Sequence, residues 1–278
     1  MKIPPELNIQ IIHCLSDDLR ALRNCSLTCQ QWSEVARPLK FHEVTFGYVE
    51  DLTRFRALVD GNPEIRDLVK AVHIRTPSAF AHPSLFSMAT GEIGGEVPSS
   101  LPAGKTALYP VFKDTSPDAI QGRMYTNGDQ DGAITRAVTD TLQLLQHATK
   151  LTVSLCHIED RSLGNILTSL PKLEHFEIVW CDIFSRLSNA TPLSHRPPLK
   201  RVRVKASGPH TGANRPGVHD ALGDVLRWSL CDGIEILDMD SISGSTLVKI
   251  VVEEAAPSLV ELRLNLMSTV DRRFSQGE

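Results

Sequence analysis

Apolar residues return along this chain in one grouping, the first, fourth and sixth places of a six-residue window, with other residues between them. The copies are Val69-x-x-Val72-x-Ile74, Ala148-x-x-Leu151-x-Val153, Leu173-x-x-Phe176-x-Ile178, Leu199-x-x-Val202-x-Val204, Ile234-x-x-Leu237-x-Met239 and Leu259-x-x-Leu262-x-Leu264. The fourth and sixth places alternate with the period of two that a half-buried strand requires. From Val153 onward the sixth places lie 25, 26, 35 and 25 residues apart. At that period, units that cannot bury an apolar face alone can stack on their neighbours and share a core. Two copies run on into Cys156-x-Ile158 and Cys181-x-Ile183. The spacing predicts both cysteines to be small buried turn residues, one period apart, rather than redox or metal groups.

Between the strand-like windows the apolar spacing changes to that of a helix. Ile134, Ala137, Val138, Thr141, Leu142 and Leu145 predict one helix, beginning at Ala133 behind Asp131. Val218, Leu222, Val225 and Leu226 predict a second, and Leu247, Ile250, Val251 and Ala255 a third that Pro257 stops. Residues 78–132 are rich in Gly, Pro and Ser and predict a long insertion or disordered loop, with a shorter loop over 206–217.

The first forty-six residues have a different character. Pro5 suits the first turn of a helix, and Leu7, Ile11, Ile12 and Leu15 are expected on one apolar face behind it. Ser16-Asp17-Asp18 offers caps for a second helix carrying Leu19, Leu22 and Cys25. Thr28 and Gln31 have the spacing of a capping box for a third, with Cys29, Trp32 and Ala36 on its face and Pro38 at its close. Three such helices enclose a small core, and a unit of this size usually leans on a partner.

Ile3-Pro4-Pro5-Glu6-Leu7, Ile11-Ile12-x-x-Leu15, Leu22-x-x-Cys25-Ser26-Leu27-Thr28-Cys29-x-x-Trp32 and Ala36-Arg37-Pro38 together resemble the F-box, in the form that opens many fungal chains. Ile3 stands where the family usually has Leu, and Lys40 stands at a usually apolar position. The repeats behind it resemble, more loosely, leucine-rich repeats. The resemblance implies that Pro4, Pro5, Leu7, Ile11, Ile12, Leu15, Leu19, Leu22, Leu27 and Trp32 dock on a Skp-type adaptor linked to a cullin-RING ubiquitin ligase. The same residues also suit the core of a small three-helix domain, and some are expected to serve both ends. The implied role is substrate recognition in an SCF-type ligase. The alternative is an F-box and repeat scaffold acting outside ubiquitination.

The expected architecture is therefore α/β, a three-helix F-box followed by an irregular leucine-rich-repeat-like solenoid of parallel strands and helices. Residues 1–46 form the F-box, 47–77 a first helix and strand, and 78–132 the insertion. The solenoid spans 133–267, and 268–278 are a polar tail.

Composition narrows the functions. The 278 residues carry a net charge of −4, which gives no electrostatic reason to expect nucleic acid. No apolar run reaches the roughly 20 residues that span a bilayer, and Pro4-Pro5-Glu6 interrupts any secretory signal. Six cysteines without a Cys-x-x-Cys pair suggest reduced thiols and a place in cytoplasm or nucleus, where the sequons at Asn24 and Asn189 stay unmodified. Nucleophile-elbow, P-loop and dinucleotide motifs are absent from the sequence, so no catalytic residue, cofactor or metal is expected. Asn127-x-Asp129-x-Asp131-Gly132 has the spacing that opens an EF-hand calcium loop, but its twelfth position is Val138 instead of Glu.

One charged cluster stands out. Arg201, Arg203 and Lys205 alternate with Val202 and Val204, so all three project from one face of a strand. His175 and Glu177 precede them, and Asp238 and Asp240 follow, one strand away on either side. Cross-strand charge pairing explains such an arrangement. The sharper reading is a surface for a protein substrate, with an acidic recognition segment meeting the basic strand.

Overall fold

The computed structural model describes residues 4–75, 128–154, 156–179, 181–184, 197–205, 233–240 and 257–265. The expected helices over 218–230 and 247–255, the loop over 206–217 and the polar tail lie outside them, as does most of the expected insertion.

Each of the six periodic windows supplies a strand of one parallel sheet. These are β2 (Ala71–Arg75), β3 (Lys150–Ser154), β5 (His175–Val179), β7 (Arg201–Lys205), β8 (Ile236–Asp240) and β9 (Glu261–Asn265). A seventh, β1 (Glu43–Phe46), precedes them, and the order across the sheet is β1-β2-β3-β5-β7-β8-β9. The register matches the sequence windows residue for residue. Val72, Leu151, Phe176, Val202, Leu237 and Leu262 form one row across the sheet, and Ile74, Val153, Ile178, Val204, Met239 and Leu264 form the next. From β2 to β8 both rows are buried, whereas Leu262 and Leu264 on the edge strand are exposed. A shorter parallel pair, β4 (His157–Glu159) with β6 (Asp182–Phe184), follows the two cysteine turns.

The backbone sets this register at the entrance to each strand. The His42 carbonyl accepts the N–H groups of both Lys70 and Ala71, and the Lys70 carbonyl those of Thr149 and Lys150. Thr149, Glu174, Lys200 and Glu235 repeat the arrangement for the strands that follow, all at 2.8–3.0 Å. Two donors on one oxygen leave little freedom to slip, and a one-residue slip would turn every aliphatic side chain to the wrong face.

Helices cover the buried face. They are α4 (Val49–Gly61), the short α5 (Ile65–Leu68), α6 (Gly128–Leu142) and α7 (Asp160–Thr168), with α6 packed against both α4 and α7. Leu52, Phe55 and Val59 of α4, Val138 and Leu142 of α6, and Leu163, Ile166 and Leu167 of α7 join the strand residues in one core. The Asp51 carboxylate accepts the Gly47 and Tyr48 N–H groups and so closes the start of α4. A buried hydrogen bond of 3.1 Å joins the hydroxyls of Thr135 and Ser162 between α6 and α7.

The N-terminal helices α1 (Pro5–His13), α2 (Leu19–Thr28) and α3 (Gln30–Phe41) enclose a separate small core of Ile12, Leu22, Cys25 and Ala36. Asp18 caps α2 by accepting the Arg20 and Ala21 N–H groups at 2.9 Å. Thr28 and Gln31 do not form a capping box. Thr28 is the last residue of α2, its hydroxyl donates to the Asn24 carbonyl, and Cys29 occupies the N-cap of α3. Nor does Pro38 end α3, which runs on to Phe41. Leu39 packs on the helical core and Phe41 on the sheet core, and this burial holds the last turn despite the missing N–H. Because α3 leads directly into β1, the two units share a chain segment. Arg37 adds hydrogen bonds to Asn62 at 3.2 Å and Glu64 at 2.6 Å.

Helix α6 begins at Gly128, not at Ala133. Residues 129–132 are therefore helical, which the opening of an EF-hand loop is not, and they do not belong to the expected loop.

The buried rows predict a steep gradient of tolerance. Phe176→Ala, in mid-sheet, should cost about 3–5 kcal/mol in urea denaturation through lost burial and the cavity left behind. Leu262→Ala, in the same row at the open edge, should cost about 1 kcal/mol or less, because that side chain keeps much of its contact with water. Equal costs would contradict the register.

Candidate functional site

Two surfaces carry the residues singled out by the sequence. The first is on the N-terminal helices. There the expected single apolar face of α1 splits into two stripes. Asn8, Ile12 and, partly, Leu15 turn inward, whereas Leu7 and Ile11, four residues apart, turn to solvent at 47% and 43% exposure. The cause is geometric, because α1 packs on α3 through the stripe one residue further round the helix. On α2 Leu22 is fully buried while Leu19 and Leu27 are exposed at 62% and 78%. Trp32 is half-buried against the small core, Pro4 is exposed, and Pro5 is placed by its backbone at the start of α1. Ile9, which the spacing did not single out, is also exposed at 43%. Of the ten residues, Ile12 and Leu22 hold the fold together, and Leu7, Ile11, Leu19 and Leu27 are left outward.

The second surface is the face of the sheet opposite the helices. Its middle row reads Thr45, His73, Thr152, Glu177, Arg203, Asp238, Arg263 from β1 to β9, and charge alternates over its last four places. Arg203 Nε lies 3.2 Å from Asp238 and 3.8 Å from Glu177, and Lys205 Nζ lies 3.2 Å from Glu177. Arg203 and Lys205 are thus already neutralised by neighbours on the adjoining strands. Asp238 projects from this face as alternation requires, yet it is buried between β7 and β9, so it adds no exposed charge. Asp240 pairs with Lys205 in register and is described by its backbone alone.

The neighbouring row, at the first residue of each strand, reads Glu43, Ala71, Lys150, His175, Arg201, Ile236, Glu261. A depression of about 170 Å³ opens between the two rows, lined by Lys150, His175, Phe176, Glu177, Arg201 and Arg203. Within it the Arg203 Nε is shielded from solvent and makes no hydrogen bond.

Cys156 and Cys181 are both buried. The Cys156 thiol donates to the Ser154 carbonyl at 3.1 Å and lies 3.9 Å from that of Ile74, whereas Cys181 donates to Val153 of the preceding strand at 3.3 Å. Burial, followed by the adjacent Cys156, pushes the Cys181 thiol well above its ordinary value, which disfavours the reactive thiolate. Among the described residues, no group of three or more His, Cys, Asp or Glu is placed to hold a metal ion. No helix among them is long and apolar enough to cross a membrane.

Strand β1 and helix α7 escaped the sequence reading, although both carried a signal. Phe41-x-x-Val44-x-Phe46 is a seventh copy of the repeated window, hidden at the end of the N-terminal unit. Leu163, Ile166, Leu167 and Leu170 have helical spacing and are all buried.

His73 supplies a pH handle on the sheet face. Burial lowers its pKa below the ordinary 6.5, opposed by Glu43, whose Oε1 lies 3.5 Å away. Lys150 lowers it further, Glu177 raises it, and Arg75 lowers it slightly. The folded chain therefore binds fewer protons at this site than the unfolded chain in the interval below 6.5. Its contribution to stability is complete above that value and declines as the pH falls through the lowered one. Urea midpoints taken at about pH 7.5 and about pH 5.5 should differ less in His73→Gln than in the wild type. Identical differences in the two proteins would contradict the assignment.

No family model matches the chain, and no curated protein matches it either.

Proposed function

We propose that this chain is a substrate-recognition subunit of an SCF-type, cullin-RING ubiquitin ligase and not an enzyme itself. In this reading residues 1–46 are an F-box that docks on a Skp-type adaptor. The parallel sheet with its helical cover is a leucine-rich-repeat-like solenoid whose outward strand face receives a protein substrate. The observation that carries the proposal is the outward set Leu7, Ile11, Leu19 and Leu27 on a unit whose own core is four residues. Burying a leucine side chain contributes about 1.5–3 kcal/mol, so leaving four large aliphatics in water is costly unless a partner covers them. Their order along the chain is that of the F-box motif, which supports an adaptor as the partner. His175, Glu177, Arg201, Arg203, Lys205, Asp238 and Asp240 lie on the proposed substrate side, with Arg203, Lys205 and Asp238 serving the face through internal ion pairs.

The structure also determines which experiment is informative. Removing residues 1–46 would strip β1 and the buried Phe46 from the sheet, so loss of function in that truncation would say little about docking. Point changes at the exposed aliphatics avoid the difficulty. Leu7→Ser, Leu19→Ser and Leu27→Ser together should weaken capture of a purified Skp-type adaptor by at least about a hundredfold, from the loss of three burials. The thermal midpoint should stay within a few degrees of the wild type, because all three side chains are exposed. Adaptor affinity unchanged in the folded triple variant would overturn the proposal.

A further inference from the structure

We propose that the depression on the sheet face is an anion-binding site, and that it takes an acidic side chain of a peptide segment lying across the strands. This rests on the reading of that face as the substrate side and names the chemistry of what it receives.

The polar groups that remain available, two cations flanking a histidine, run across three strands, not along one. Lys150, His175 and Arg201 are register neighbours on β3, β5 and β7. Adjacent strands stand about 4.8 Å apart, so the three span about 10 Å. The side chains of Lys150 and Arg201 make no hydrogen bond or ion pair with any described residue, unlike Lys200, which is bound to Glu174, and Lys205, which is bound to Glu177. Arg203 lies beside them, its Nε held 3.2 Å from Asp238, and adds positive charge to the wall of the depression. A carboxylate or phosphate seated over His175 would meet Lys150 on one side and Arg201 on the other. Charge-assisted bonds of this kind are the strongest a partly buried site can offer a small oxyanion.

The surroundings decide between a peptide and a polyanion. The cationic row is bounded by Glu43 on β1 and Glu261 on β9, and Glu177 lines the depression itself. A nucleic-acid backbone following the row would meet acids at both ends. One or two acidic groups on an otherwise neutral segment would not. The net charge of −4 points the same way, since it repels a long polyanion at a distance.

The test uses the full chain and three short fluorescein-labelled Gly-Ser peptides: an uncharged parent, one with a central Glu-Gly-Glu, and one with a central phosphoserine. Fluorescence anisotropy should show at least one acidic peptide binding about tenfold or more tighter than the parent, with affinity falling as salt rises. The phosphoserine and glutamate arms distinguish phosphate from carboxylate. Arg201→Glu should abolish the difference from the parent. Arg56→Glu, the same charge change on the helical layer, should preserve it. Acidic peptides that bind no better than the parent would overturn the site, and so would equal losses in the two reversals. Stronger competition by an oligouridylate than by either acidic peptide would also overturn it, in favour of nucleic acid. Adaptor capture, measured with the same proteins, should be unaffected by Arg201→Glu. Failure of the wild type to capture the adaptor counts against the ligase reading alone.

Discussion

At six successive strand entrances a single carbonyl oxygen accepts two consecutive N–H groups, from His42 holding Lys70 and Ala71 to Glu235 holding Val260 and Glu261. This shared acceptor brings every strand into the sheet at the same height. The rest follows from it. Because the entrances are level, Val72, Leu151, Phe176, Val202 and Leu237 fall into one buried row, and Ile74, Val153, Ile178, Val204 and Met239 into the next. The helices α4, α6 and α7 then find a continuous apolar surface to cover. At the far end of the strands the Cys181 thiol adds a further tie, donating to the Val153 carbonyl of the strand before.

The same level register organises the opposite face, where side chains cannot choose their neighbours. Glu177, Arg203 and Asp238 are forced side by side, and most of the charge expected to meet a partner is consumed in holding adjacent strands together. Cross-strand pairs of this kind contribute roughly 0.2–1 kcal/mol each. What remains outward is decided one row away, where Lys150, His175 and Arg201 have no carboxylate opposite them in register. A reading made along one strand therefore finds the face from which these charges project, but not which of them are paired across strands. The proposed ligand site depends on the pairing between strands, which a single strand does not reveal.

The sheet was the most legible part of the chain, because a repeated spacing of three apolar positions reports period, face and register together. Strand β1 was missed for a local reason, since Phe41-x-x-Val44-x-Phe46 overlaps the end of a helix already assigned to another unit. The start of α6 was misplaced because Asp129, Asp131 and Gly132 read as turn residues, and helical propensity is a weak guide against tertiary packing. On α1 the apolar spacing was real, but it could not say which of two adjacent stripes faces inward. Leu7 and Ile12 look equivalent in the sequence and are opposite in the fold. That choice depends on where α3 lies, and it separates core residues from the proposed interface.

If the outward aliphatics of α1 and α2 form a docking surface, covering them should leave the attached sheet unchanged. Hydrogen-exchange mass spectrometry of the full chain, with and without a saturating Skp-type adaptor, tests it most directly. Exchange should slow over residues 5–28 and stay unchanged in β3, β5 and β7. Protection confined to the sheet, or no protection at all in a chain shown to bind the adaptor, would contradict it.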